Sequence, residues 1–183
     1  MFRDRTVVVA ITAGIAAYKS AILVRELKNE RAEVHVIMTE RSTEFITPLT
    51  LETLSQNPVA VNIFDRENRY DMEHIALADQ ADILIIAPAT ANIIGKAAHG
   101  IADDLVSTTV LTMMSSVPVL MAPAMNSRMW ENPIVKQNVT ILEKAGVKFE
   151  GPVEGKLADG RVGTGRMADI KDILQAAHTI IQK

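Results

Sequence analysis

Strand-length apolar runs alternate along this chain with longer segments whose apolar residues recur at helical spacing, and that alternation restricts the fold more than any other feature. Runs such as TVVVAI and ILIIA are apolar at consecutive positions, the mark of strands covered on both faces, and the intervening helices supply the covering layers. The pattern predicts an α/β fold, a parallel sheet between two helical layers, with strands at 6–12, 33–39, 82–87 and 117–122 and a weaker one at 147–149. Residues 15–29 read as the first helix, since Ala17, Ala21, Val24 and Leu27 share a face. Further helices are expected at 49–55, 74–79, 92–98, 104–113, 133–145 and 169–181. With 183 residues, 48% of them hydrophobic, one sizeable core can be filled, so a single domain spanning 1–183 is expected.

Charge and residue usage narrow the function. The formal charge is −3 and the basic residues are scattered, so a nucleic acid would meet no positive stripe. There is no cysteine, which excludes disulfides, thiolate metal sites and a cysteine nucleophile and fits a reducing compartment. The run TVVVAITAGIAA has the look of a signal-peptide core, but Arg3, Asp4 and Arg5 precede it closely and the helical pattern continues through Tyr18, Lys19 and Arg25. No apolar run approaches the ~18 residues of a membrane span. The expectation is a soluble cytoplasmic protein with neither membrane nor nucleic-acid partners.

Two segments, ILIIAPATAN and VPVLMAPAMN, run from an apolar strand through Ala-Pro-Ala to an asparagine. The carboxyl ends of parallel strands share one edge, so Asn92 and Asn126 are expected at one rim. The second segment continues as PAMNSRMW, which ends a buried strand with proline, two methionines, an asparagine and the chain's only tryptophan, where glycine, aspartate or serine is the common exit.

Other stretches read two ways. TAGIAAYK follows a strand and opens a helix, so its N–H groups either cradle a phosphate or polar cofactor edge or simply make a tight turn; it lacks G-x-G-x-x-G and G-K-[ST]. In MTERSTEF, Thr39, Ser42 and Thr43 either cap a helix or also donate to a phosphate. In PATAN, Thr90 suits a helix cap and the Asn92 amide a heteroaromatic polar edge. His74 has no second histidine at ligand spacing, so no metal site is expected. Asp103 and Asp104 read as caps, and VLTMMSS as core or subunit interface. Residues 153–166 carry Gly155, Gly160, Gly163 and Gly165 and are expected to form a mobile lid loop.

GIAAYK, TER…F, His74, PATAN, GIADDL and PAMNSRMW, in this order and spacing over nearly the whole chain, resemble the flavin-containing cysteine decarboxylases. The resemblance implies a flavodoxin-like Rossmann subunit, a homotrimer or a dodecamer built from trimers, and FMN lying between neighbouring subunits. It places Gly14, Ile15, Ala16, Thr39, Phe45, Pro88, Ala89, Thr90, Ala91 and Asn92 against FMN, makes His74 the base, and gives Asn126 the substrate carboxylate. Ala124, Met125 and Met129 would line the place where flavin and substrate meet. It also implies oxidation at the sulfur-bearing carbon of a cysteinyl substrate, so that the resulting C=S group accepts the electrons released with carbon dioxide. For the branch acting in coenzyme A synthesis the substrate is 4'-phosphopantothenoylcysteine and the product 4'-phosphopantetheine; Arg161 and Arg166 are candidate phosphate ligands, with solvated lid charges as the plainer reading.

One departure bears on the second half of that cycle. Where the coenzyme A branch has Leu-x-Cys-Gly, this chain reads LADG, with Asp159 in the cysteine's place. Either a buried, protonated Asp159 serves as the acid, or turnover ends at the enethiol as in the peptidyl-cysteine decarboxylases, or the chain is a non-catalytic FMN-binding subunit.

Overall fold

The structure, a computed structural model, describes residues 1–62, 79–158 and 160–182. Six parallel strands form the central sheet: β1 (Thr6–Ile11), β2 (Glu33–Met38), β3 (Val59–Ala60), β4 (Ile83–Ala89), β5 (Val119–Pro123) and β6 (Lys148–Phe149). Their order is β3-β2-β1-β4-β5-β6. Leaving out the two-residue edge strand β3, the remaining five have the flavodoxin-like order, with the switch point between β1 and β4. That order sends the chain to opposite sides of β1, and the crevice it opens beyond the strand ends is where ligands of such sheets bind.

Around the sheet lie α1 (Tyr18–Asn29), α2 (Pro48–Ser55), α3 (Ala91–Ala98), α4 (Leu105–Met113), α5 (Ser127–Trp130), α6 (Pro133–Lys144) and α7 (Ile170–Ile181). Period-2 geometry divides each buried strand between two cores. Val7, Val9 and Ile11 join Leu23, Leu27 and Ile173 on one face, while Val8 and Ala10 join Ile93, Val106 and Val139 on the other. Burial on both faces explains why the strand runs show no polar alternation. In VLTMMSS, Val110 and Met113 are fully buried core residues while Leu111 is exposed. Among the described residues no helix is long and apolar enough to cross a membrane.

The expected strands and helices recur within two residues where they are described, except that the first helix starts at Tyr18 after a 3-10 turn over Ile15–Ala17; there are two additions and one correction. β3 and the single-turn α5 are too short to carry a period of their own. The correction concerns 153–166: Val153–Lys156 (β7) and Val162–Arg166 (β8) pair as an antiparallel hairpin where a loop was expected. Gly163 and Gly165 serve close packing. A Cβ at Gly165 would stand 2.2 Å from the Met125 carbonyl oxygen, and one at Gly163 3.2 Å from Ser127 Cβ. The helix expected at 74–79 lies outside the described residues apart from Asp79, which is helical.

Candidate functional site

A cleft of about 1090 Å³ opens at the carboxyl ends of β1, β4 and β5, where the switch point predicts it. Several chain segments wall it, the hairpin among them through Lys156 and Arg166. Gly14, Ile15 and Ala16 come from the turn after β1, Thr39 from the end of β2, Thr90, Ala91 and Asn92 from the turn after β4, and Ala124, Met125, Asn126 and Met129 from the exit of β5. The two asparagines therefore do share one rim. The segments that carry them are tied directly, since the Ala124 N–H donates to the Ala89 carbonyl at 3.0 Å.

Each turn is held by bonds its own sequence supplies. Thr90 caps α3, its hydroxyl oxygen accepting the Ile93 N–H. Asn126 caps α5, its Oδ1 accepting the Arg128 N–H at 2.9 Å, which assigns hydrogen-bond donation to the amide nitrogen. Hairpin and PAMN segment are fastened by the Met125 N–H, which donates to the Gly165 carbonyl at 3.0 Å. Asp104 caps α4 through a reciprocal capping box with Ser107.

Several expectations are redistributed. Pro88 and Ala89 are buried in β4, behind the cleft wall. Phe45 is exposed and Arg161 is exposed, and neither lines the cleft, whereas Arg166 does. Ser42 and Thr43 do not face it either; their hydroxyls donate to the Thr39 and Glu40 carbonyls, each at 2.6 Å. His74 and Asp159 lie outside the described residues. Of the remaining histidines, His99 bonds Asn138 at 3.0 Å and His178 packs edge-on against Phe2.

The cleft has a charge the chain as a whole lacks. Lys19, Arg41, Lys96, Lys156 and Arg166 line it, against Glu40 and Asp104, while the formal total is −3. Burial, then the neighbouring Arg166, lowers the Lys19 pKa against the opposing pull of Asp169. Arg166 donates from Nη1 to Asp169 at 3.1 Å, and its buried Nε has no hydrogen-bond partner among the described residues. Lys96 is different: burial alone would lower its pKa, but Asp103 and Asp104, each 2.5 Å away, more than reverse this and raise it. Sequence reading assigned no site role to Lys19, Arg41, Lys96 or Lys156, and charge alone could not have singled them out from the chain's other basic residues.

Two observations fit a bound flavin nucleotide. The buried Thr39 hydroxyl on the cleft wall has no hydrogen-bond partner among the described residues, an arrangement a ligand would satisfy. A Cβ at Gly14 would point toward Thr90, 3.8 Å from its Cγ2, so the missing side chain keeps open the gap between the two turns.

The chain matches the Flavoprotein family over residues 1–182. It is 44% identical over 177 residues to the coenzyme A biosynthesis bifunctional protein CoaBC of Bacillus subtilis, covering 97% of this chain but 43% of that protein's length. It is 43% identical over 171 residues to a probable phosphopantothenoylcysteine decarboxylase of Streptococcus mutans, covering 93% of this chain and 96% of that one. Among solved structures, a mutant PPC decarboxylase complexed with pantothenoylaminoethenethiol superposes with a TM-score of 0.85 at 30% identity, over 99% of this chain and all of the other.

Proposed function

The chain belongs to the flavoprotein family, and from that premise we propose that it binds FMN and decarboxylates 4'-phosphopantothenoylcysteine to 4'-phosphopantetheine. The observation that carries this reading is the convergence of Asn92 and Asn126 on one cleft, on turns bonded to each other through Ala124 and Ala89. Gly14, Ile15, Ala16, Thr39 and Thr90 to Asn92 would hold the cofactor. Bound FMN would supply a store for the two electrons taken from the sulfur-bearing carbon until they are returned, so the overall reaction is redox-neutral.

The protein's own groups do the rest. His74 takes a proton from the substrate as base. The Asn126 amide donates to the carboxylate without the firm charge pairing of an arginine, which would favour the ground state and slow departure of carbon dioxide. Met125, Met129 and Ala124 give that carboxylate an apolar floor, which favours the neutral product. Arg166, with Lys19 beside it, faces the substrate's anionic end. Asp159 stands at the position from which a proton is returned.

Incubation with 4'-phosphopantothenoylcysteine followed by mass spectrometry is expected to show loss of carbon dioxide alone. A further loss of two hydrogens would favour the second reading, motivated by Asp159 in place of cysteine, in which the product leaves as the enethiol. A yellow protein whose colour never bleaches with substrate would indicate a non-catalytic flavin subunit. Assembly as a homotrimer or dodecamer and residence in the cytoplasm belong to the same proposal; Ile15 and Tyr18, more than half exposed at the cleft, suit a subunit contact and the mass in solution tests it.

A further inference from the structure

Two buried hydroxyls with no role in the reading above hold the turn after β4, Thr12 from the cleft wall and Ser20 from behind it. Thr12, 2% exposed at the end of β1, donates its hydroxyl proton to the Pro88 carbonyl at 2.7 Å. Ser20, fully buried in α1, donates to the Ala87 carbonyl at 2.6 Å. The ladder between β4 and β5 shifts register between Ile86 and Ala89, and both carbonyls sit in that interval. Buried carbonyls must find donors, and the first strand–helix unit provides them across 67 to 76 residues of sequence.

The Thr12 oxygen does a second thing: it accepts the Thr90 N–H at 3.3 Å and lies 3.3 Å from the Thr90 hydroxyl. One hydroxyl carries one proton, and the 2.7 Å contact to Pro88 is the better bond, so the Thr12 proton is spent there. The Thr90 oxygen already accepts the Ile93 N–H at 3.4 Å. That leaves it one lone pair and its own proton, so the Thr90 hydroxyl can still donate or accept, on a residue that lines the cleft.

We propose that Thr12 is a positioning residue for the cofactor: by bonding the Pro88 carbonyl and the Thr90 N–H it holds the 88–92 turn so that the Thr90 hydroxyl meets a polar atom of the bound flavin nucleotide. The inference rests on the FMN reading. Ser20 supports the same turn but does not face the cleft, so its loss affects folding and not the Thr90 contact.

The test is flavin affinity of the refolded apoprotein, read by quenching of flavin fluorescence, with urea unfolding of the same apoproteins as a separate measure of stability. Thr12→Val, which keeps the shape and removes the hydroxyl, is expected to weaken FMN binding roughly tenfold, and Thr12→Ser to bind like wild type. Thr90→Val should weaken it similarly, and the double variant should be no weaker than Thr90→Val, because the two hydroxyls act as one unit. If Thr12→Val does not fold, Thr12→Ala takes its place. Repeating the series with riboflavin locates that atom: an effect that persists places it on the ring or ribityl chain, and one that vanishes places it on the phosphate. A Thr12 variant of lowered stability whose FMN affinity stays within twofold of wild type would overturn the inference, as would additive losses in the double variant. Wild-type protein that binds no FMN would instead overturn the FMN reading itself.

Discussion

Gly165 and Gly14 show how two residues of one type answer different constraints. At Gly165 there is no room: a methyl would meet the Met125 carbonyl oxygen at 2.2 Å and the Ser127 nitrogen at 3.2 Å, both backbone atoms that cannot step aside. Gly165→Ala is expected to lift β8 from the PAMN segment and destabilise the fold by about 1–3 kcal/mol, read as a lower urea midpoint. Gly14 has an extended backbone (φ 178°) and only an ordinary contact waiting for a methyl. Gly14→Ala should therefore leave apoprotein stability within about 0.5 kcal/mol while narrowing the gap beside Thr90, so that loss of FMN retention with an unchanged midpoint is the outcome that checks it. Neither difference is visible in the letters GIAA or GTGR.

At the scale of elements, the corner between α3 and α4 joins a cap to an ion pair. Asp104 accepts the Ser107 N–H at 2.8 Å and holds Lys96 with its other oxygen, and Asp103 holds the same ammonium from the exposed side. Because the two carboxylates raise the Lys96 pKa, this ammonium stays charged throughout the neutral range, and its stabilising contribution is lost only as pH rises past the usual lysine value. Asp104→Ala is expected to lower stability by about 1 kcal/mol or somewhat more through loss of the cap. Asp104→Ser keeps the cap and removes the charge, so the difference between the two variants in thermal unfolding isolates the cap from the pair. The hairpin is the other element with an assignable job, since one backbone bond from Met125 to Gly165 and two glycine contacts place it over the exit of β5.

For the whole molecule, acid sensitivity follows from His35, on β2. Burial lowers its pKa below the ordinary value of 6.5; Glu33 opposes the shift and Lys28 reinforces it. A depressed folded-state pKa means that its contribution is fully present above about 6.5 and is lost as pH falls through the folded value. Thermal unfolding at pH 7.5 and 5.0 is expected to show a smaller drop for His35→Gln than for wild type, and an equal drop would refute the assignment. Local periodicity and turn chemistry determined, from the sequence alone, the parallel sheet, its two helical layers, the caps at Thr90 and Asp104 as short polar residues before helices, and the meeting of Asn92 and Asn126 at one edge. These follow from neighbours in the chain and from the rule that parallel strands end together. Tertiary structure alone decided that the glycine-rich segment is a hairpin lying on Met125, that Thr12 and Ser20 serve carbonyls 76 and 67 residues away, and that Lys19 stands beside Arg166 while Arg161 does not line the cleft. Contacts between residues so far apart in sequence impose no period on it, because each needs only one suitable side chain at each end and the fold to bring them together.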